Sequence, residues 1–259
     1  MLNSTIRIIT LLAAVAFLAG CQLWGDNRAN VPLPAALVER MAAIGTSPAE
    51  PMMIRVYKES SELEVWKRSR SGQFALLKTY PICKWSGTLG PKIREGDLQS
   101  PEGFYDVTPA LLNPKSSYHL AFNVGFPNKF DQALARTGSY LMIHGDCKSV
   151  GCYAMTDEGI KEIYALAREA FRGGSAAFQL QLLPFRMTED NFARHATSPH
   201  VGFWRNLKTG VDAFDQTRQP PVWDVCEQRY VFNQNDPRKA PLDPNGPCPT
   251  GSFSTMAAI

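Results

Sequence analysis

Residues Ser139 to Asp157 read SYLMIHGDCKSVGCYAMTD. An apolar run, Tyr140-Leu141-Met142-Ile143, ends in His144-Gly145, and a short polar loop then reaches Ser149-Val150-Gly151-Cys152 ahead of a helical pattern. The order puts an imidazole at a strand end and a thiol a few residues beyond it, as a thiolate nucleophile and its base require. A free thiol has a pKa of about 8.5, and a neighbouring imidazole or helix N-terminus lowers it toward neutrality. Gly151 lets a carbonyl approach the backbone, and N–H groups around Cys152 could hold a developing oxyanion. With Gly145, Ser149, Gly151 and Tyr153 shaping the loop, the stretch reads as a site for acyl transfer. The alternative is a buried core thiol beside a structural histidine, because free cysteine is often buried.

Upstream, Leu89-Gly90-Pro91-Lys92, Glu95-Gly96-Asp97 and Ser100-Pro101-Glu102-Gly103-Phe104-Tyr105 follow one another. Together with His144-Gly145 and Ser149-Val150-Gly151-Cys152 they resemble the L,D-transpeptidase catalytic-domain family, also called YkuD-like. The wording from Gly151 to Asp157 is similar to the YafK-like branch of that family. The resemblance covers residues 52 to 186, with a looser continuation through Trp204 and Val225-Cys226. It implies a YkuD-like β-sandwich catalytic domain, Cys152 as nucleophile, His144 as its base, and no cofactor or metal. It also implies peptidoglycan stem peptides as substrates in cell-wall remodelling, with a wall-linked lipoprotein as a further partner. Two positions depart from the family pattern, which places His just before the Gly-Cys and Arg two residues after the Cys. This chain has Val150 and Ala154 there. The substrate preference of typical members therefore does not carry over, and the YafK-like wording implies cleavage of L,D amides ahead of cross-linking. Two rival readings stay open: a sortase-type enzyme, which would need Arg186 as a partner, and a non-catalytic wall-binding lipoprotein.

The chain has 259 residues, 44% hydrophobic and 20% charged, which is ordinary for a globular protein with a sizeable core. A formal net charge of +3, without basic runs interleaved with aromatics, argues against a nucleic-acid partner. Arg7 precedes the apolar run Ile8 to Phe17, too short to span a membrane and of the length of a signal-peptide core. The run ends in Leu18-Ala19-Gly20-Cys21, which resembles a bacterial lipobox. Residues 1–20 are thus expected to be a lipoprotein signal peptide and Cys21 the lipidated N-terminus of an exported, periplasmic chain. Gln22 resembles the residue that sorts such proteins to the outer membrane. Setting aside Cys21 and Cys152 leaves Cys83, Cys147, Cys226 and Cys248, with three pairings open in an oxidising compartment. Cys226–Cys248 is the first expectation, because it would pin a Pro-rich tail; Cys147 could alternatively pair transiently with Cys152.

Residues 21–50, with Pro32, Pro34 and Pro48 and a helical candidate at Ala35 to Ile44, read as a spacer. From residue 51 to 186 the period is that of strands, at 53–57, 63–66, 74–77, 118–124, 140–143 and 178–182, giving a mostly β catalytic domain with flanking helices. One helix is well marked: Thr156 can cap it, Asp157 and Glu158 suit its positive end, and Ile160, Ile163, Tyr164, Ala167 and Phe171 share a face before Gly173-Gly174. Residues 187–259 read as a C-terminal extension, helical at Glu189 to His195 and Phe203 to Lys208. His195 and His200 have no nucleophile near them in sequence, and His119, mid-strand, could face the groove. His144, Asp146 and Cys147 lack the paired spacing of a structural zinc site.

Overall fold

The computed structural model describes residues 26–234 and 240–250. Cys21 and the expected signal peptide lie outside the described residues. Two five-stranded sheets form the body. The first, in the order β3-β2-β1-β10-β5, joins Phe74–Pro81, Glu62–Arg68, Met52–Tyr57, Phe178–Leu183 and Gly103–Val107. The second, β4-β9-β8-β7-β6, joins Lys84–Trp85, Tyr153–Ala154, Met142–His144, Ala121–Asn123 and Leu112–Asn113. A separate hairpin, β11 (Trp223–Cys226) and β12 (Arg229–Phe232), follows them.

Strand β1 is buried along its whole length, and its alternating side chains explain why. Met52, Ile54 and Val56 join Phe122, Ile143 and Tyr153 of the second sheet in one apolar core. Met53 and Tyr57 belong to clusters on the other face. A sheet covered on both faces needs a second layer. The region expected as a C-terminal extension supplies it. Phe192 of α4 (Glu189–Arg194), Trp204, Leu207 and Val211 of α5 (Val201–Thr217), and Val225 and Tyr230 of the hairpin pack with Phe104, Leu183 and Phe185. Between these layers Arg55 donates to Gln181 at 2.8 Å and to Asp215 of α5 at 2.9 Å. Residues 187–234 are therefore part of the folded body.

The same holds for the expected spacer from Arg28 onward. Leu37 and Met41 of α1 (Ala35–Ala43) are buried in the main core, and Arg168 donates to the Ala29 carbonyl at 2.5 Å. Arg168 lies on α3 (Asp157–Arg172), whose N-cap Thr156 accepts the Gly159 N–H at 3.0 Å. Helix α3 ends where the N-terminal segment crosses it. A Cβ at Gly173 would stand 2.0 Å from the Ala49 carbonyl oxygen, so this contact admits only glycine. A short helix, α2 (Lys129–Ala133), carries a capping box between Asn128 and Asp131.

Two strand expectations need correction. The apolar stretch 118–124 is extended only at Ala121–Asn123, because His119 turns at φ +66° and the Tyr118 carbonyl accepts the Gly145 N–H. The run 140–143 becomes a strand at Met142–His144, since Tyr140 has φ +53° and is 77% exposed. Both departures put turns beside Cys152. No helix among the described residues is long and apolar enough to cross a membrane.

Candidate active site

Strands β8 and β9 are parallel neighbours, with Ile143 opposite Tyr153 and His144 opposite Ala154. Continuing that register puts Cys152 beside Met142, two residues before His144. Because strand side chains alternate, Met142, His144 and Cys152 share one face. All three line a single cleft of about 570 Å³. Parallel strands ordinarily need a crossover of about a dozen or more residues. The shorter segment 145–152 manages the return with left-handed backbone at Asp146, Cys147 and Gly151. Gly145 starts it where a Cβ would lie 2.5 Å from Asp157 Oδ1 and 3.0 Å from the Tyr118 carbonyl oxygen. Asp157, at the head of α3, accepts the Asp146 N–H at 2.9 Å and so fixes the loop from the helix side.

The Cys152 sulfur accepts the Met142 N–H at 3.4 Å and lies 3.6 Å from the Tyr140 carbonyl oxygen, to which the thiol donates. Its backbone is held by hydroxyls. Ser149 Oγ donates to the Cys152 carbonyl at 2.6 Å and accepts the Cys152 N–H at 3.1 Å. Ser100 Oγ donates to the same carbonyl at 2.8 Å and accepts the Ser86 N–H at 3.0 Å. Since the Ser149 proton is committed to Cys152, Ser86 is the donor in the 2.9 Å contact between Ser86 Oγ and Ser149 Oγ. The N–H of Cys152 is therefore occupied in this state, whereas the sequence suggested it for an oxyanion.

His144 is buried and packs on the Tyr118 ring at 4.8 Å between centroids. Its Nδ1 lies 2.6 Å from the Gly145 carbonyl oxygen, an acceptor, which assigns the proton to Nδ1 and leaves the Nε2 lone pair for a base. Burial pushes the imidazole pKa down, with the Gly145 carbonyl opposing. Burial likewise pushes the Cys152 thiol up, opposed by the Met142 N–H and the charge of Lys92. Sulfur and ring share no hydrogen bond here. Such contacts often tighten only once substrate is bound.

A buried ion pair supports the hydroxyl cradle. Lys58 and Glu102, both without exposed side-chain surface, meet at 2.9 Å. Lys58 also donates to the carbonyls of Gly90 at 2.9 Å and Ser100 at 2.7 Å, while Glu102 accepts the Gly90 N–H and the Trp204 indole N–H, each at 2.8 Å. The Ser100 segment is thus fixed to β1's end and to α5. Lys92 meets Asp97 at 2.5 Å, and Asp97 accepts the N–H groups of Ile93, Arg94 and Gln99. Burial raises the Asp97 pKa, but the Lys92 ammonium and these N–H donors outweigh it and bring it down to about 2.

Other candidates fall elsewhere. Tyr153 is fully buried and its hydroxyl donates to the Pro101 carbonyl at 2.7 Å, so its side chain is a core group below the cleft. Val150 is 74% exposed at the rim and Ala154 is fully buried. Cys147 is bonded to Cys83 and Cys226 to Cys248, which leaves Cys152 as the free cysteine among the described residues. The Cys147–Cys152 pairing is therefore not the one formed. Arg186 is held by Glu62 and Glu64 at 2.7 and 2.9 Å and stacks over Tyr57, which takes away the partner a sortase-type reading needs. His195 pairs with Glu59 at 2.8 Å and stacks on Phe185, and His200 packs on Trp204 and over Gly90. His119 Nδ1 stands 3.9 Å from Asp157. Ser86 and Lys58 carried no signal in the sequence, whereas the Cys83–Cys147 tie is the pairing that the expected Cys226–Cys248 bond leaves over.

The chain is 41% identical over 229 residues to the protein named "Putative L,D-transpeptidase YafK" in Escherichia coli strain K12, spanning 88% of this chain and 90% of that one. The chain belongs to the YafK-like branch of the L,D-transpeptidase family. The counterpart from Escherichia coli O157:H7 matches equally. No family model matches the chain. Among solved structures, the helical cell shape determining protein Pgp2 from Campylobacter jejuni superposes with a TM-score of 0.42 at 20% identity, over 69% of this chain and 64% of that one. Bd1075 from Bdellovibrio bacteriovorus gives 0.37 at 24% identity, over 65% and 62%. As a member of the YafK-like branch, the chain carries His144 and Cys152 on one cleft, with Val150 on its lining and Ala154 buried at the two divergent positions.

Proposed function

We propose that this protein is a cysteine enzyme that cleaves L,D amide bonds in peptidoglycan stem peptides during cell-wall remodelling. The carrying observation is that His144 and Cys152 share one face of two adjacent parallel strands and open into the same cleft. In this reading His144 Nε2 takes the thiol proton as Cys152 Sγ attacks the carbonyl at the L-centre of a diamino-acid residue. The C–N bond breaks, the proton passes from His144 to the leaving amine, and a thioester on Cys152 remains. Water, deprotonated by His144, then releases the acid and the thiol; an amine taking its place would form a cross-link or attach a protein.

A thioester partitions according to which nucleophile is held near its acyl carbon, and a dilute amine outcompetes water only where the site binds it. Val150 and Ala154 replace the two polar side chains that typical family members carry beside the cysteine. Their replacement supports hydrolysis, including release of a wall-linked lipoprotein, over cross-linking. The lipobox-like Leu18-Ala19-Gly20-Cys21 supports export and a lipid anchor on Cys21, with Gln22 favouring the outer membrane. The folded body starts at Arg28, so the chain between Cys21 and Arg28 could reach at most about 25 Å when extended. The enzyme would then work close against its membrane.

The test is incubation with purified peptidoglycan fragments, followed by mass spectrometry of products and protein. Free tripeptide and an acyl adduct on Cys152 are expected. Predominant new 3–3 cross-links would overturn hydrolysis while keeping Cys152 as nucleophile. Full turnover by Cys152→Ala would remove the mechanism. The absence of a sulfur–imidazole hydrogen bond favours one second reading, a stem-peptide-binding lipoprotein without catalysis. A thiol-reactive probe separates the two, because a binder's cysteine reacts no faster than an ordinary thiol. An intact mass without acyl groups would refute the anchor.

A further inference from the structure

The cleft beside Cys152 carries charge that the acyl-transfer steps above do not use. Lys84 and Lys148 line it, and among the described residues no Asp or Glu does. Lys148 rides on the nucleophile loop, with Asp146 Oδ2 at 3.5 Å. Lys84 is exposed and has no hydrogen-bond or ion-pair partner among the described residues. Its backbone, by contrast, is fixed twice. Strand β4 pairs with β9 so that Lys84 faces Ala154, and the preceding residue, Cys83, is bonded to Cys147 of the nucleophile loop. Opposed residues of an antiparallel pair project from the same face. At that opposed position stands Ala154, whose methyl side chain has no group to pair with an ammonium. The rest of the polar lining, including Asn113, Ser117 and Tyr118, is neutral.

An ammonium without a partner among the described residues, on a backbone tied to both sides of a nucleophile, is arranged to meet an anion brought by the substrate. We infer that Lys84, with Lys148 at the rim, binds a carboxylate of the acyl donor and makes the enzyme select peptides with a free carboxylate beside the scissile amide. This rests on the reading that Cys152 attacks a peptide amide. The carboxylate has two sources: the α-carboxylate of the leaving amino acid, or the carboxylate at the second stereocentre of the diamino acid. Both offer the same chemistry to a lysine, a charge-assisted hydrogen bond that an amide cannot match.

The experiment compares the full-length enzyme with Lys84→Ala and Lys84→Arg on three synthetic peptides sharing one L,D amide. One keeps both carboxylates, and each of the others is amidated at a single source. Both kcat/KM and binding affinity are measured, with melting curves to confirm that the exposed substitutions leave the fold intact. Amidation at one source is expected to cost the wild type about 10- to 100-fold, the usual penalty for losing a hydrogen bond to a charged group. Lys84→Ala should lose the discrimination and Lys84→Arg keep it, and the sensitive peptide identifies the source. A wild type indifferent to both amidations, or Lys84→Ala discriminating as strongly as the wild type, would overturn the assignment. If no peptide is turned over, the affinities still decide the role of Lys84, while the missing turnover counts against the Cys152 reading alone.

Discussion

Ser100 and Cys152 lie far apart in the chain yet share a hydrogen bond of 2.8 Å, the Ser100 hydroxyl donating to the Cys152 carbonyl. Ser100 is completely buried and also accepts the Ser86 N–H, so it ties the loop before β5 to the nucleophile's own backbone. Removing the hydroxyl takes the acceptor from a part-buried N–H and frees one side of the Cys152 carbonyl.

Ser100→Ala should lower stability by about 0.5–1.5 kcal/mol, the usual net contribution of a hydrogen bond. It should lower turnover by about 10- to 100-fold, because small misplacements of a nucleophile are expensive. Denaturant unfolding and kcat measurements check the two effects separately. Ser100→Thr, which keeps the hydroxyl, should recover more of the activity than Ser100→Ala.

The Lys58–Glu102 pair is the deeper support. Burial pushes the Lys58 pKa down while Glu102 opposes it, so the ammonium depends on its partner. Glu102→Gln leaves that charge uncompensated, and breaking such a pair costs about 3–5 kcal/mol. Replacing both partners by apolar residues of similar volume should cost less than the two single changes added together. A double-mutant cycle from urea melts measures the difference, and simple additivity would show that the pair is not coupled.

The Cys83–Cys147 bond closes a loop with a sequence separation of 64, and the Cys226–Cys248 bond one of 22. The chain-entropy relation gives about 4 and about 3 kcal/mol respectively. Their effects on activity should differ. Cys83→Ser with Cys147→Ser loosens the segment between His144 and Cys152 and should slow turnover, whereas Cys226→Ser with Cys248→Ser should leave the rate of the folded enzyme unchanged. Melting curves and kcat for both double variants give the comparison; equal kcat losses would mean that the tie at Cys147 does not hold the loop.

What the sequence showed follows from which interactions are local. The cap at Thr156, the amphipathic face of α3 and the His-Gly and Gly-Cys strand ends are written within a few residues and could be read directly. The role of residues 28–50 and 187–234 could not, because their covering of the sheets depends on contacts such as Leu37 in the main core and Arg55 to Asp215. The Pro residues of the N-terminal segment suggested a spacer, and a turn-rich chain packs well where a neighbour offers partners, as Arg168 does for Ala29. The strands at 118–124 and 140–143 came out short because His119 and Tyr140 turn at positive φ, where the Tyr118 carbonyl accepts the Gly145 N–H and the Tyr140 carbonyl the Cys152 thiol. Ser86 and Lys58 act through partners remote in the chain, which no spacing rule connects.

The pH profile discriminates between two resting states of the nucleophile. Burial holds the Cys152 thiol up and the His144 imidazole down. Both shifts disfavour a thiolate–imidazolium pair and favour a neutral thiol beside a neutral imidazole. His144 then acts as a base at the moment of attack, and kcat/KM should fall on the acid side only as pH drops below about 6.5, the ordinary histidine value. The alkaline limb should lie above about 8.5, because a raised thiol pKa delays loss of the proton needed by the leaving amine. Folding stability should follow the same imidazole: a depressed folded pKa means that the His144 contribution is complete above the unfolded value and is lost as pH falls toward the folded one. Alkylation of the free enzyme by iodoacetamide provides the check without substrate. A neutral pair predicts slow alkylation at pH 5 with the rate rising into the alkaline range, whereas rapid alkylation persisting in acid would establish a preformed ion pair and overturn the general-base description. In His144→Ala the acid limb of kcat/KM should disappear along with about two to four orders of magnitude in rate, the share usual for an acid–base partner.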